Sequence, residues 1–442
     1  MLSREENELI TRVGPGTPMG ETMRRYWMPV LLSWELPEAD CPPVRVRVLG
    51  EDLVAFRDTS GRLGLIDENC PHRLASMWLG RNEQDGLRCV YHGWKFDVTG
   101  ACVDQMNEPE QFAHKIHIKA YQVYEAGGVI WTYMGPADKM PPVPAFEYTQ
   151  VSDDKRGVTK VVQDCNWLQA LEGGIDSSHA PILHRQIRAG AKAGGIQVDT
   201  PFVRGSAPVL EVDYTDYGYC YTGIRRLGEA EQYVRGYHFV MPFTQFRPSQ
   251  IGRGGAPDRT TVSGHHWVPV DDHTTLVWNW HYNFGPDELT AEERSMEGSG
   301  NGQQSVDWEN GFRSHANRAN NWLIDRDVQK NDTFTGIPGI NTQDRAVQES
   351  MGSVVDRTRE HLGPADKAII ATRKLLLQAC RAVQEGGNPL GANDSYHNVR
   401  AIEKVLSADT AWREVLVPQM YPSLSAEEVA RRKQQRGAVV TL

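Results

Sequence analysis

The sequence lacks a run of apolar residues long enough to span a bilayer, and its first segment, MLSREENELI, lacks the apolar core of a signal peptide. It also lacks a basic excess. The formal net charge is −10, which argues against the basic face that nucleic-acid binding requires. No Gly-x-Gly-x-x-Gly segment follows a predicted strand, so no nicotinamide or flavin domain is predicted. We therefore expect a cytoplasmic protein with no membrane or nucleic-acid partner, which would attract a positively charged redox partner.

Cysteine is sparse and scattered, which argues against a disulfide framework. The chain has seven cysteines, an odd number. In a reducing compartment such residues are usually buried thiols or metal ligands. Only two of them lie close to histidines in the sequence, Cys70 and Cys89; the others are Cys41, Cys102, Cys165, Cys220 and Cys380.

The chain has 442 residues, enough for two or three domains. Residues 1–150 open with a helical stretch and continue, from Val44 to about Tyr133, as short alternating strands, which predicts an all-β domain. The proline-rich segment MGPADKMPPVPAFE marks a boundary. Residues 151–442 predict an α+β domain: a helix over 163–184, strands over 208–284, a loop over 285–310, and helices over 308–333 and 342–382. A charged tail helix, SAEEVARRKQQRG, follows. The expected fold class is α+β, with an antiparallel sheet covered by helices in the second domain.

The first candidate metal site lies in CPHRLASMWLGRNEQDGLRCVYHGW. Cys70-x-His72 is followed, after sixteen residues, by Cys89-x-x-His92. Two thiolates and two imidazoles can hold two irons of unequal character, with the neutral histidines raising the reduction potential. The alternative is a structural zinc site, but zinc sites normally pair Cys with Cys and His with His at wider spacing.

The second candidate site lies in NWLQALEGGIDSSHAPILHR. Asp176 and His179 are three residues apart and would share one helical face, and Pro181 would disturb the helix so that His184 could also turn inward. Two histidines and one carboxylate form the facial ligand set of oxygen-activating ferrous iron. A polar face of the same predicted helix carries Asn166, Gln169 and Glu172, which either support the site, line a subunit boundary or are ordinary helix residues.

CPHR followed by CVYHGW resembles the Rieske motif of ring-hydroxylating oxygenases, and the second segment resembles the Asp-x-x-His-x-x-x-x-His motif of their catalytic domains. The resemblance extends over most of the chain and is strongest to the phthalate dioxygenase branch, which has no small subunit. Stretches that carry it include GPGTPMGETMRRYW, PPVRVRVLGEDLVAFRD, FTGIPGINTQDRAVQESMG and DRTREHLG. It implies a Rieske [2Fe–2S] cluster in the first domain and a mononuclear Fe(II) in the second.

By this resemblance, His179 and His184 are iron ligands, and Asp176 is a catalytic bridge that carries electrons from the cluster of a neighbouring subunit. The third ligand is a later aspartate: Asp344, near the start of a helix capped by Asn341 or Thr342, with Asp356 as runner-up. Asp325, Asp327 and Asp332 also compete. Arg73 and Trp94 are expected beside the cluster, where they would tune its hydrogen bonding and solvent access.

The resemblance also implies a homotrimer or stacked trimers, with electrons supplied by a separate NAD(P)H-dependent flavin/iron–sulfur reductase. The predicted function is the terminal oxygenase component that cis-dihydroxylates an aromatic carboxylate with O₂. The alternative is a Rieske monooxygenase or O-demethylase of a phenoxy- or methoxybenzoate. Arg225, Arg226 and Arg247 are the candidate carboxylate-binding residues. Phe243, Phe246 and Trp280 either wall the substrate ring or pack in the core. Two other classes compete with an oxygenase: an electron-carrying Rieske protein and a zinc-bound interaction protein.

Overall fold

A computed structural model describes residues 2–191, 194–251 and 258–423, so the predicted tail helix over 425–437 lies outside the described residues. In the described part no helix is both long and apolar enough to cross a membrane. Ten α-helices are formed there, besides short 3₁₀ turns: α1 Arg4–Thr11, α2 Pro18–Met23, α3 Trp167–Ile175, α4 Ala180–Leu183, α5 Pro201–Arg204, α6 Ala291–Ser295, α7 Arg326–Asn331, α8 Ile340–Ser350, α9 Lys367–Gln384 and α10 Trp412–Met420.

The strands of the first 150 residues are short and form three small sheets. The sheet orders are β1–β10–β9, β2–β3–β4 and β5–β6–β7–β8. The strands are β1 Trp27–Leu32, β2 Val44–Val48, β3 Glu51–Arg57, β4 Leu63–Asp67, β5 Arg81–Asn82, β6 Leu87–Arg88, β7 Trp94–Phe96, β8 Cys102–Gln105, β9 Gln122–Ala126 and β10 Val129–Tyr133.

The second half of the chain is built on one ten-stranded sheet. Its order is β12–β13–β14–β15–β16–β17–β11–β19–β18, and β20 also pairs with β14. Its pairings are antiparallel except that between β11 and β19. The strands are β11 Arg156–Gln163, β12 Val209–Tyr214, β13 Gly218–Leu227, β14 Glu231–Val240, β15 Thr244–Pro248, β16 Thr261–Pro269, β17 Thr275–Asn283, β18 Val306–Asp307, β19 Arg313–Ser314 and β20 Ile402–Ser407. The predicted all-β region followed by an α+β region is confirmed.

The described residues form four hydrophobic clusters, and two of these contain most of the buried apolar side chains. A small one, which includes Phe56, Cys70 and Phe96, lies under the cysteine–histidine loops. A much larger one extends from Trp131 in the first region to Trp278 of the great sheet, and α1 and α2 pack on α9. The cysteine–histidine loops therefore lie on a small core of their own. The rest of the N-terminal region shares the larger core with the ten-stranded sheet.

Several predicted helices are wrong in extent. The helix expected over 163–184 ends at Ile175, where Asp176 turns to extended backbone (φ −64°, ψ 110°), so the break precedes Pro181. The helix expected over 308–333 is reduced to α7 and a short turn, because Asn and Asp side chains hydrogen-bond the local backbone in place of helix bonds. The stretch 342–382 is split into α8 and α9, and α8 is capped by Gly339, not by Asn341 or Thr342.

Candidate active site

Three of the predicted iron ligands meet in space although they come from distant parts of the chain. The Nε2 atoms of His179 and His184 each lie 3.2 Å from Oδ1 of Asp344. One candidate ligand atom from each residue lies within 4.8 Å of the others. Two imidazoles and one carboxylate grouped in this way can hold Fe(II) and leave coordination positions open.

Close helix packing brings these residues together. His179 and His184 flank the single turn α4, whereas Asp344 is the fifth residue of α8. A side chain at Gly173 of α3 would overlap the amide of Gln348 on α8, and one at Gly174 would overlap the Trp267 ring on β16. The two glycines therefore let α3 lie against both α8 and the sheet.

Polar neighbours orient both histidines. Oε1 of Gln343 lies 2.8 Å from Nδ1 of His184, while Nε2 of Gln343 donates to the carbonyl of Ile337 at 2.8 Å. The amide is thereby oriented so that Nδ1 of His184 is the donor and Nε2 is left for a metal. Oδ2 of Asp176 lies 3.5 Å from Nδ1 of His179. Asp176 and His179 thus interact as predicted, but across a turn and not along a helix.

The electrostatics of this group favour a bound cation. Burial opposes the charge on His179, yet Asp176 and Asp344 raise the pKa of His179 to about 10. Burial would raise the pKa of Asp344, but the two histidines lower it well below its ordinary value. Asp176 and Asp344 therefore remain ionised. Their negative charge keeps His179 protonated when no metal is bound, and a divalent cation would take the place of that proton. The donor set and its charge both fit iron.

The other four predicted ligands lie at the ends of two tight turns. The N–H of Cys70 donates to Ala75 at 2.9 Å, and the N–H of Cys89 donates to Trp94 at 2.8 Å. Each turn keeps its cysteine buried and its histidine half-buried at the tip. The ring centroids of His72 and His92 are 4.3 Å apart.

The cysteine and histidine side chains of these turns fit a cluster. Both cysteines are free thiols, and a hydrogen bond from Cys70 lowers the pKa of Cys89 to about 6. Nδ1 of His72 is buried and has no hydrogen-bond partner among the described residues. Thiolates at the base and imidazoles at the tip are the donor set of a [2Fe–2S] centre of the His₂Cys₂ type.

Of the two residues predicted beside the cluster, one is in direct contact with a candidate ligand. The Trp94 ring stacks on His72 at 4.5 Å and 6°, and its Nε1 donates to Glu108 at 3.1 Å. Arg73 is exposed, with its guanidinium 5.3 Å from the Tyr91 ring.

Comparison with known proteins finds a family model for each of the two parts of the chain that carry the candidate sites. A family model of the Rieske [2Fe–2S] domain matches residues 26–122, and a model described as LigXa C-terminal domain like matches residues 132–435. The phthalate 4,5-dioxygenase oxygenase subunit of Pseudomonas putida is 38% identical over 94% of each chain. The 3-chlorobenzoate-3,4-dioxygenase oxygenase subunit of Comamonas testosteroni is 37% identical over 89% of this chain and 93% of that one.

This chain belongs to the Rieske non-haem iron ring-hydroxylating oxygenases. The predicted [2Fe–2S] cluster and mononuclear iron are its cofactors, and it is an oxidoreductase that receives its electrons from a reductase. A third relative, the 5,5'-dehydrodivanillate O-demethylase oxygenase subunit of Sphingobium, is 31% identical over 97% of this chain and 90% of that one. The structure of Pseudomonas putida CBB5 NdmA shares the fold, with a TM-score of 0.58, 21% identity, and coverage of 84% and 94% of the two chains.

A cavity of about 550 Å³ adjoins the three grouped residues of the oxygenase, which is within the range of small-molecule sites. Of the three predicted substrate arginines, Arg247 alone is among its lining residues. Arg225 is fully buried and donates to the carbonyl of Ser177 at 2.6 Å. Arg226 is exposed and reaches the carbonyl of Ala408. Neighbouring residues on a strand face opposite sides, which separates Arg225 from Arg226.

The remaining candidates have other partners in the oxygenase. Asp325 caps α7, Asp332 pairs with Arg188, and Asp356 caps a turn at Thr358. The rings of Phe246 and Trp280 pack edge-to-face at 4.8 Å, and Phe243 is buried. Phe243 and Phe246 therefore pack in the core, whereas Trp280 is also among the residues that line the cavity.

Sequence reasoning missed several residues of the site. Gln343 precedes Asp344, and its role depends on a contact with a residue 159 positions away. Gly173 and Gly174 form a Gly-Gly pair inside a helix, which is a signal of close approach that the sequence did offer. Asn301, which lines the cavity, lies in a segment predicted only as a loop.

Proposed function

We propose that this oxygenase hydroxylates an aromatic carboxylate, a phthalate isomer or a substituted benzoate. The predicted reaction adds both atoms of O₂ across one carbon–carbon double bond of the ring, with two electrons and two protons, and yields a cis-dihydrodiol. The phthalate and chlorobenzoate relatives support this substrate class, since their names state acids of this kind.

The observation that carries the proposal is the unpaired cation in the cavity. Arg247 has no ion-pair or hydrogen-bond partner among residues 2–191, 194–251 and 258–423. Burial lowers the pKa of Arg247, and the negative charge of Asp344 opposes this. An arginine that lines a cavity without a counter-ion is suited to bind a carboxylate bidentately.

The proposed roles follow from the contacts of each residue. When bound, the cluster supplies electrons singly and the iron activates O₂ beside the substrate. Arg247 holds the substrate carboxylate, Gln343 fixes the tautomer of His184, and Asp176 orients His179. The proposed ligands are Cys70, His72, Cys89 and His92 for the cluster, and His179, His184 and Asp344 for the iron.

We further propose a head-to-tail trimer. Around the cluster turns the exposed apolar side chains include Leu74, Leu79, Val90, Tyr91 and Met106. Around the iron site they include Ile182, Phe334, Val347 and Met351, all of which border an apolar cavity of about 300 Å³ beside Asp176. Contact between two different patches of neighbouring subunits is a heterologous interface, which forms a ring when the rotation between subunits closes, as a trimer requires. Asp176 would then lie between His179 and a cluster histidine of the neighbouring subunit.

The reaction is tested with the loaded oxygenase, a compatible NAD(P)H-dependent reductase, and a panel of benzoates, phthalates and their uncharged amides. The acids should be consumed with O₂ and give cis-diols, whereas the amides should not react. Arg247→Gln should lower kcat/KM for the acids by about 100-fold, since removing one partner of a buried charge pair typically costs 2–5 kcal/mol. Arg226→Gln is the matched control. Equal turnover of acids and amides, or an Arg247→Gln variant with normal kinetics, would refute the proposal.

The O-demethylase relative gives one reason to keep a second reaction. A methoxybenzoate in the same cavity could present its methyl carbon to the iron in place of a ring bond. The same panel separates the two reactions, because demethylation yields a phenol and formaldehyde with one oxygen atom reduced to water.

A further inference from the structure

A buried amide in the cavity wall has an unused hydrogen-bond donor. Asn301 is 1% exposed and is one of the residues that line the cavity beside Arg247. Its Oδ1 accepts a hydrogen bond from Nη1 of Arg345 at 2.8 Å. Its Nδ2 is buried and has no partner within the described part of the chain. A donor left unpaired in this way destabilises the fold, so it calls for an explanation.

The orientation of this amide is determined by its partner. A guanidinium has only donors, so the atom of Asn301 that faces Arg345 must be the oxygen and the unpaired atom must be the nitrogen. Arg345 is itself fixed, with hydrogen bonds to the carbonyl of Gly300 at 2.8 Å and to Oγ1 of Thr342 at 3.0 Å. The donated bond also polarises the amide and makes Nδ2–H a better donor.

Asn301 and Arg247 belong to different walls of the cavity. Arg247 projects from β15, in register with Ser263 on β16 and through it with His281 on β17. Asn301 follows a turn at 297–299 that packs against α6 and α8, and α6 packs on β11 beyond β17. Because adjacent strands are about 4.8 Å apart, the two groups approach a bound molecule from separate sides. Nε2 of His281, which also lines the cavity, is likewise buried without a partner among the described residues.

We propose that Asn301 is a specificity-determining residue whose Nδ2–H donates to an acceptor oxygen on the substrate ring, apart from the carboxylate held by Arg247. The preferred substrate is then a benzoate with a second oxygen substituent: another carboxylate, an alkoxy group or an aryloxy group. This inference rests on the proposed function and narrows its substrate class. The substrate oxygen would pair with Nδ2–H of Asn301, which is otherwise buried and unpaired. A site of this kind discriminates strongly against substrates that lack the acceptor.

The test compares two ligands that differ only in this acceptor. Methoxybenzoates and the corresponding ethylbenzoates have equal charge and similar shape, but only the ether oxygen accepts a hydrogen bond. Dissociation constants are measured by calorimetry on the loaded, anaerobic oxygenase for the ortho, meta and para isomers. At one ring position the wild-type protein should bind the methoxy compound about 10-fold more tightly than the ethyl compound.

In Asn301→Asp one carboxylate oxygen still accepts the hydrogen bond from Arg345. The other oxygen replaces the Nδ2–H donor that faces the ligand, so the preference for the methoxy over the ethyl compound should disappear. The comparison uses the ratio of the two dissociation constants, because the added negative charge weakens the binding of both anionic compounds equally. Asn310→Asp, an exposed asparagine in the same region, is the control and should leave the ratio unchanged. If Asn301→Asp does not fold, Asn301→Ser, whose short hydroxyl can accept but not reach the ligand, should give the same loss of preference.

The inference is overturned if the wild-type protein binds both compounds equally at all three positions, or if the preference persists in the folded Asn301 variant. Failure of the proposed function looks different: benzoates as a class would not bind, or Arg247→Gln would leave their affinity unchanged.

Discussion

The packing of α3 against α8 gives a quantitative test of how the iron site is assembled. At Gly173 an added Cβ would overlap the amide nitrogen of Gln348 and lie 2.9 Å from its Cδ. The Gln348 side chain cannot move freely, because its Oε1 accepts a hydrogen bond from Gln163 at 2.6 Å in a buried setting. Asp344 lies one turn before Gln348 on α8, so a displacement of Gln348 shifts the carboxylate ligand.

The expected effect on folding is moderate because a gain in helix propensity opposes two losses. Gly173→Ala gains about 1 kcal/mol of helix propensity. Overpacking costs about 1–3 kcal/mol, and loss of the Gln163–Gln348 hydrogen bond about 1 kcal/mol more. The free energy of unfolding should therefore fall by about 1–3 kcal/mol, whereas iron affinity should fall by about 10–100-fold, as for other residues that hold a metal ligand in position.

The assay measures iron binding and the cluster separately. Fe(II) affinity is determined by anaerobic titration, and the visible absorption of the [2Fe–2S] centre reports the Rieske domain, which should be unchanged. Gly298→Ala is the matched control, since no atom lies within 4 Å of its added Cβ. Wild-type iron affinity in Gly173→Ala would refute the idea that close approach of α3 and α8 builds the site.

Three further predictions concern charge. Asp176→Asn should retain cluster and iron but lower multiple-turnover rate by about 10-fold or more, because the charge beside His179 is lost; normal turnover would contradict this role. Glu172→Gln should reduce the free energy of unfolding by about 3–5 kcal/mol in denaturant titrations, since buried Arg357 loses its counter-ion and buried Arg373 retains only Glu360, while Glu211→Gln at an exposed pair should cost less than about 1 kcal/mol. Burial lowers the pKa of His266 from 6.5 to about 3, so below pH 6.5 the unfolded chain takes up a proton that the folded chain does not. Stability should fall by about 1.4 kcal/mol per pH unit from pH 6 to 4 through this group, and His266→Gln should lessen that slope.

The metal-binding motifs could be predicted from the sequence because their chemistry is local. A Cys-x-His turn and a Cys-x-x-His turn bring their ligands together within a few residues, whatever the surrounding fold. The third iron ligand, a carboxylate, could not be derived in this way. Asp344 and Asp356 are both plausible in sequence, and only the packing of α8 against α3 puts Asp344 beside the histidines while Asp356 caps a turn.

The substrate arginines show the same limit in another form. Strand alternation could have separated Arg226 from Arg225, but it could not separate Arg225 from Arg247, since both lie on strands and both carry the same charge. What distinguishes them is a partner far away in sequence: Ser177 accepts from Arg225, and no described residue does so for Arg247. Pairing across the fold decides which buried cation is available to a ligand.

The polar face of α3 explains why support of the site and stability of the fold are linked. Asn166 caps the helix and donates to the carbonyl of Thr11, Gln169 donates to the carbonyl of Gln348 on α8, and Glu172 pairs with two buried arginines, one of them on α9. These residues recur at spacings of three and lead to the end of the helix, where Asp176 meets His179. These contacts favour the interpretation that this face supports the site, which stays a prediction. Each of these contacts holds α3 against a different element. A substitution on this face should therefore shift Asp176 and His179 and weaken metal binding, even where the chain still folds.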